Sequence, residues 1–170
     1  LIHKTFKGIA QRGKCSMGWF FGFKLHLICN EKGELLNFMI TPGDVDDRRP
    51  LEYKAFVEFI YGKLVGDRGY ISKNLFERLF IDGIQLITKL KSNMKGALMS
   101  VSDKLLLRKR AIIETINDEL KNIAQVEHSR HRCFDNFIVN MLGALAAYCC
   151  FPKKPCINIE RTIDTQLKLF

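Results

Sequence analysis

The stretch KLVGDRGYISKNLFERLFIDGIQLITKL, residues 63–90, decides the fold predicted for this chain. Its first apolar run ends at Asp67, and residues with helical spacing then follow Ser72, a favourable N-cap, as far as about Asp82. Gly83 ends the predicted helix, and a second apolar run, IQLITKL, comes after it. A strand, a helix and a strand in this order predict an α/β fold.

The residues before this unit predict an antiparallel hairpin. GWFFGFKLHLICN, from Gly18, is rich in aromatic and β-branched residues, NEKGE is turn-like, and LLNFMITPG is a second strand. The first strand contains four aromatic side chains, which we expect to lie in the core rather than to stack on nucleic-acid bases. They are Trp19, Phe20, Phe21 and Phe23. Residues 51–61 then show helical spacing and predict a helix.

The chain divides into three segments. Residues 1–17 are a basic lead-in without an evident core, residues 18–151 form the main folded unit, and residues 152–170 are a loosely ordered tail. The last apolar run of the main unit, FDNFIVNMLGALAAYCCF, predicts a buried helix. Its Asp and Asn side chains are costly in lipid, so we expect no membrane span there.

The chain is strongly basic. Lys and Arg number 27 against 18 Asp and Glu, which gives a formal charge of +9 and a pI of about 9.4. Such a charge attracts polyanions, so nucleic acid is the leading partner class and an anionic membrane the second. The six cysteines show no C-x-x-C spacing, and no secretory signal pattern is present, which together predict a reducing cytoplasm.

Two acids are candidate catalytic groups. Asp67 follows a buried strand, where the loops of open α/β sheets form the ligand crevice, although an Asp there can also simply open a turn. Farther along, helical spacing predicts one long helix from Ser102 or Asp103 to about Asn122. Glu114 stands in the middle of this helix among cations.

The cations near Glu114 have a regular spacing. Arg110 comes four residues before Glu114 and Lys121 seven residues after it, so all three side chains share one face of a helix. The simpler interpretation is a ladder of ion pairs on a solvated face, worth only a few tenths of a kcal/mol per pair.

Together with Asp67, this spacing resembles the ribonuclease H-like catalytic domain of insertion-sequence transposases. The family related to insertion sequence four has a signature of Tyr, two residues, Arg, three residues, Glu, six residues and Lys. Here Arg110, Glu114 and Lys121 match it, and the tyrosine position falls at Leu107. The motifs GWFFGFKLHLICNEKGELLNFMITPGDVDDR, GDRGY and IETINDELKN look more closely like the insertion sequence nine-eighty-two family, over about residues 6–155.

The resemblance implies a mixed sheet flanked by helices that cleaves and joins DNA with Mg²⁺ or Mn²⁺ held by carboxylates. Asp67 would be the second acid of the family's triad and Glu114 the third, and both would be metal ligands. Arg110 and Lys121 would hold phosphates. The implied partners are the ends of a mobile element and target DNA, the implied assembly is a homodimer, and the implied location is the bacterial cytoplasm with the nucleoid.

Four further residues are candidate DNA contacts. Lys24 and His26 recur in the family pattern on the first hairpin strand, where they would touch DNA or lie beside a buried carboxylate. Arg130 and Arg132 alternate with histidines in HSRHRC, which is typical of a phosphate-contacting segment or of a solvated basic face.

The first acid of the triad has no match in this chain. The resemblance places it on a strand before the hairpin, but residues 1–17 contain neither Asp nor Glu. We therefore expect the first strand of the fold to be missing here and the catalytic activity to be impaired. The alternative is an inactive remnant that only binds DNA.

Overall fold

The computed structural model describes residues 5–15, 18–89, 99–127 and 130–156. The strands are β1 (Gln11–Cys15), β2 (Gly18–Cys29), β3 (Leu35–Pro42), β4 (Gly62–Gly66) and β5 (Ile84–Thr88). The helices are α1 (Lys54–Val57), α2 (Lys73–Ile81), α3 (Val101–Lys109), α4 (Ala111–Asn122) and α5 (Phe134–Cys149), with 3-10 helices at Arg49–Glu52 and Arg68–Tyr70. The fold is mixed α/β as predicted, with an antiparallel and a parallel sheet flanked by helices, and it is compatible with a ribonuclease H-like domain.

The antiparallel sheet has the strand order β1-β2-β3. β1 lies within the segment expected to be a lead-in, and it pairs with β2 so that Gln11 faces Gly22. Before it, the ring of Phe6 packs against Phe23 with centroids 5.7 Å apart. Backbone hydrogen bonds and this aromatic contact therefore tie the segment to the sheet. Its sequence did not indicate a strand because its polar residues, exposed on both faces, show no apolar alternation.

The parallel pair β4-β5 and the helix between them follow the prediction closely. Leu64 pairs with Leu86 in the parallel ladder, and α2 provides the crossover. The Ser72 hydroxyl caps α2 by accepting a hydrogen bond from the Leu75 N–H at 3.4 Å. Gly83, with φ of +79°, then turns the chain into β5, a conformation that glycine adopts without strain.

The helix predicted for residues 51–61 is wrong in its length. The structure has a 3-10 helix that ends at Glu52, an extended Tyr53 and only one α-helical turn, α1. Phe56 and Val57 are buried, but Phe59 and Tyr61 are exposed. The helix ends early because the chain must turn at Gly62, with φ of +80°, to enter β4.

Two apolar clusters form the core. The first joins the two sheets to α2 and contains Ile28, Leu51, Phe56, Val57, Leu75, Leu79, Ile84 and Leu86. The second joins α4 and α5 to the antiparallel sheet and contains Ile116, Leu120, Met141, Leu145 and Tyr148. The Tyr148 hydroxyl, buried in the second cluster, donates a hydrogen bond of 2.6 Å to the Gly33 carbonyl in the β2–β3 turn. The helix predicted for this run is confirmed as α5, but only one face of it is buried: Met141, Leu145 and Tyr148 lie in the core, whereas Val139 and Leu142 are exposed. No helix of the described residues is long and apolar enough to cross a membrane.

The predicted long helix is broken at Arg110 into α3 and α4. The two halves pack on different partners: α3 lies against β4 and β5, whereas α4 lies against α5. One straight helix would not satisfy both contacts, so the chain bends at the junction. Leu107, in the position of the signature tyrosine, is buried at the end of α3.

The core prediction for the aromatic strand is right for Phe23 and wrong for Trp19. The Phe23 ring contacts Phe134 and Phe137 of α5 at centroid distances of 5.5 and 5.3 Å. Trp19 is 75% exposed. The difference arises because α5 covers the end of β2 that pairs with β3 but not the end that pairs with β1.

Candidate active site

Asp67 lies at the carboxyl end of β4 and begins the 3-10 helix Arg68–Tyr70. One carboxylate oxygen accepts a hydrogen bond of 2.7 Å from the Arg68 N–H, as expected of an N-cap. The side chain is nevertheless 63% exposed, so most of the carboxylate remains available to a ligand. The turn-forming role and a ligand-binding role are therefore compatible at this residue.

Arg110 brings the two candidate acids together. Its guanidinium forms a short ion pair with Asp67 Oδ1 through one terminal nitrogen, and the other terminal nitrogen lies 3.9 Å from Glu114 Oε1. Asp67 and Glu114 come from a strand end and from the first turn of α4, which are far apart in sequence. The structure thus gathers three of the residues singled out from the sequence around one guanidinium.

The path of α3 along β4 explains how Arg110 reaches Asp67. At the start of both elements, Lys63 Nζ forms an ion pair of 2.7 Å with Asp103 Oδ1. The four residue-to-residue steps from Lys63 to Asp67 span about 13 Å in a strand, and the seven steps from Asp103 to Arg110 span about 10.5 Å in a helix. The two elements therefore run side by side between two ion pairs. Sequence analysis did not single out Lys63 and Asp103, since residues paired through space share no local pattern.

The electrostatic environment keeps Asp67 ionised. The Arg68 N–H, and next to it the Arg110 guanidinium, hold the pKa of Asp67 below its usual value. Glu114 lies in the first turn of α4, where the positive end of the helix dipole favours a negative charge. At neutral pH the site consequently presents the ionised Asp67, with Glu114 beside it, to one guanidinium.

An acidic loop, residues 43–47, lies near Asp67. The carboxylates of Asp46, Asp47 and Asp67 all raise the pKa of Tyr70, although burial of its ring raises it more. Asp46 is paired with Arg48 at 2.6 Å and Asp47 with Lys24 at 2.9 Å. These pairs neutralise most of the loop's charge, and they hold it beside the 3-10 helix that follows Asp67.

Lys24 and His26 lie on β2 in different surroundings. Lys24 Nζ bonds the Val45 carbonyl at 2.8 Å as well as Asp47, so its role is to hold the acidic loop against the sheet. His26 is buried, with Nε2 2.8 Å from the Thr41 hydroxyl of β3. Burial lowers the pKa of His26, which keeps the ring neutral. In this position it has no free surface for a direct DNA contact, because the sheet and the first core cluster cover it.

The remaining predicted cations lie away from Arg110. Lys121, in the last turn of α4, forms an ion pair of 2.9 Å with Glu127. Seven residues of helix place it about 10.5 Å along the axis from Glu114. Arg130 and Arg132 are exposed just before α5. The structure therefore brings Arg110, but not Lys121, into contact with the acids.

The two acids fit a divalent cation as two of its ligands. Carboxylate oxygens are the ligands that Mg²⁺ and Mn²⁺ prefer, and Mg²⁺ is commonly bound by one or two carboxylates together with waters and phosphates. Asp67 and Glu114 are both exposed and contact the same cationic group. No set of three or more His, Cys, Asp or Glu side chains among the described residues is arranged to hold a metal ion.

Asp67 and Glu114 are thus an exposed pair of carboxylates, at a strand end and a helix start, that share one arginine. The family comparison gives this site its context, because a model of the family described as transposase DDE domain matches residues 1–134. The chain belongs to this family of transposase domains. A search of curated proteins found no match, and neither did a search of solved structures.

Proposed function

We propose that residues 18–151 form the catalytic unit of an insertion-sequence transposase of the nine-eighty-two family. It would cleave DNA at the ends of a mobile element and join those ends to target DNA. The observation that carries the proposal is the meeting of Asp67 and Glu114 at the Arg110 guanidinium. Membership of the transposase DDE domain family supports transposition as the process served.

Asp67 and Glu114 would hold Mg²⁺ or Mn²⁺. When bound, such ions activate the attacking oxygen and stabilise the leaving oxygen of a phosphoryl transfer. The chain's own contribution is to bring the two carboxylates to one place and to keep Asp67 ionised at neutral pH through its lowered pKa. Arg110 can turn from the carboxylates to a phosphate oxygen, since a guanidinium binds either group through paired N–H donors.

The other cations would act on DNA at a distance from the acids. Arg130 and Arg132 are exposed and suited to phosphates, and Lys121 would exchange Glu127 for a phosphate at the far end of α4. Lys24 and the buried His26 would act by positioning the acidic loop and β3. The proposed setting is a homodimer on paired DNA ends in the bacterial cytoplasm, associated with the nucleoid.

The test measures Mn²⁺ binding and DNA nicking by the 170-residue polypeptide and by Asp67→Asn and Glu114→Gln. We expect wild type to bind Mn²⁺ weakly, and each variant to bind at least tenfold more weakly because it loses an anionic ligand. Asp82→Asn, which removes an exposed acid at the end of α2, is the matched control. Unchanged Mn²⁺ affinity in Asp67→Asn would exclude Asp67 as a ligand.

Of the three acids that the resemblance implies, we assign two in residues 1–170, Asp67 and Glu114. We therefore expect little strand transfer from residues 1–170 alone, and efficient Mg²⁺-dependent cleavage of element-end DNA by this polypeptide would refute that expectation.

The engagement of both acids by Arg110 also favours a second candidate, a module that binds DNA without cutting it. This candidate predicts salt-dependent DNA binding with no metal-dependent nick. A nick that requires Asp67 and Glu114 decides for the first candidate.

A further inference from the structure

Trp19 is the chain's single tryptophan and lies at the start of β2, opposite β1. Its 75% exposure is unusual, because tryptophan side chains in folded domains are highly buried on average. Neither core cluster includes it. An aromatic surface of this size in water is a candidate contact for a partner.

The strand register surrounds Trp19 with cations. Lys14 of β1 lies directly opposite Trp19, and Arg12 lies directly opposite Phe21. Residues that face each other in an antiparallel pair project from the same side of the sheet, and so do residues two apart on one strand. Lys14 Nζ is accordingly 5.9 Å from the centre of the Trp19 ring. The β1–β2 hairpin thus presents an aromatic ring flanked by two positive charges.

A cleft of about 440 Å³ begins at this hairpin, within the volume range of ligand sites in proteins. Its lining includes a hairpin wall, to which Arg12, Lys14 and Trp19 contribute, and an acidic wall, the loop of residues 43–47. The cleft extends to Gly69, two residues after Asp67. It therefore connects the exposed tryptophan with the loop that carries the first of the two acids.

A close backbone contact holds strand β1 against the acidic loop. A Cβ atom built on Gly13 would lie only 2.1 Å from the Gly43 carbonyl oxygen, so only a glycine allows β1 to approach the acidic loop this closely. The Gly43 N–H donates to the Gly22 carbonyl at 2.9 Å and holds the loop on β2. The cleft is consequently built into the fold rather than formed by side chains alone.

The charges in the cleft select what can enter. Asp46 and Asp47 are already paired with Arg48 and Lys24, whereas Arg12 and Lys14 are exposed on the hairpin wall. A phosphate backbone would lie along the hairpin, away from the acids. The neutral edge of a base would face the acidic wall, since carboxylates accept hydrogen bonds from exocyclic amino groups.

We propose that this cleft binds an unpaired nucleotide, with its base stacked on Trp19 and its neighbouring phosphates on Arg12 and Lys14. A single-stranded or flipped base exposes its whole face to such a ring, so we assign a single-stranded or flipped segment of DNA as the ligand. This inference rests on the proposed function, which makes DNA the substrate. It adds a site for unpaired DNA next to the loop of Asp67.

The test uses the emission of Trp19, which reports on the cleft alone because the chain has no other tryptophan. The 170-residue protein is titrated, in EDTA, with a fluorescein-labelled 20-nucleotide single strand and with the matching duplex, and anisotropy is recorded in parallel. We expect the single strand to quench Trp19 and to bind Trp19→Ala about 5- to 150-fold more weakly than wild type. Trp19→Phe should recover part of the affinity for the single strand. The affinity for the duplex should change little in either variant.

Tyr61→Ala is the matched control, because Tyr61 is an equally exposed aromatic outside the cleft. Lys14→Ala retains the ring and should lower the salt dependence of single-strand binding by about one unit of slope. Thermal unfolding of each variant checks the fold, and Lys14→Ala keeps the test decisive where Trp19→Ala fails to fold.

Unchanged Trp19 emission at saturating single strand, or equal single-strand affinity of Trp19→Ala and Tyr61→Ala, would overturn the stacking site while leaving the proposed function in place. Absence of any DNA binding would overturn both. Quenching that persists in Asp67→Asn supports the site even where that variant has lost its metal binding.

Discussion

Replacing Arg110 with alanine tests the arrangement of the two acids most directly. In the proposed metal site of the wild type, a divalent cation would bind two carboxylates that already contact a guanidinium. A unit charge about 4 Å away contributes about 1 kcal/mol in a water-like medium, which suits carboxylates that are 63% and 67% exposed. Without that competing charge, we expect Mn²⁺ to bind about fivefold more tightly.

The same substitution has a predictable effect on stability and on Asp67. Loss of the two partly exposed ion pairs should lower the free energy of unfolding by about 1 kcal/mol or less. The pKa of Asp67 should rise yet stay below its ordinary value, because the Arg68 N–H, the larger cause of the lowering, remains. Urea unfolding and NMR titration of the Asp67 carboxyl group in metal-free protein measure these two quantities.

Arg108→Ala is the control for the change in net charge. Arg108 is exposed on α3, the helix that ends just before Arg110. Mn²⁺ titrations followed by electron paramagnetic resonance compare the two variants with wild type. Equal or weaker Mn²⁺ binding by Arg110→Ala than by Arg108→Ala would show that Arg110 does not compete for the carboxylates, and the reasoning would then be wrong.

Two further predictions concern the contacts that hold the site's framework. Tyr148→Phe leaves the Gly33 carbonyl without its buried donor and should cost about 1–3 kcal/mol in urea unfolding, whereas Tyr61→Phe at an exposed ring should cost almost nothing. Asp103→Asn removes the partner of Lys63. That ion pair lowers the pKa of Asp103 in the folded state. Its contribution to the free energy of unfolding is therefore present above about pH 3.9 and is lost as the pH falls through the lowered pKa. We expect the variant to be about 0.5–1 kcal/mol less stable at pH 7 and to approach wild type at pH 2, so a deficit independent of pH would contradict the assignment.

The positive charge of Arg110 lies between the two acidic side chains. Two carboxylates held close together repel each other, and the guanidinium offsets that repulsion while the acids are not engaged by another cation. The bend between α3 and α4 places this guanidinium where both acids can reach it. A helix continuous through Arg110 would carry Glu114 on the line of α3 and lose the packing of α4 on α5.

The sequence by itself determined the strand, helix and strand around Asp67, the β2–β3 hairpin and the presence of α5, although not that one face of α5 is exposed. These elements depend on periodic apolar residues, on the cap at Ser72 and on the turn at Gly83, all of which act within a few residues. The spacing of Arg110 and Glu114 was also readable, because one helical turn brings residues four apart together.

Only the tertiary structure decided the bend at Arg110, the short α1 and the exposure of Trp19. Each depends on which surface a segment meets: α3 meets the parallel pair, α4 meets α5, and the start of β2 meets only β1. Lys63 and Asp103 likewise pair through space. Local patterns indicate which element a segment can form. The surface that covers the segment depends on packing among segments distant in sequence, and here that packing places Asp67 and Glu114 beside the same arginine, Arg110.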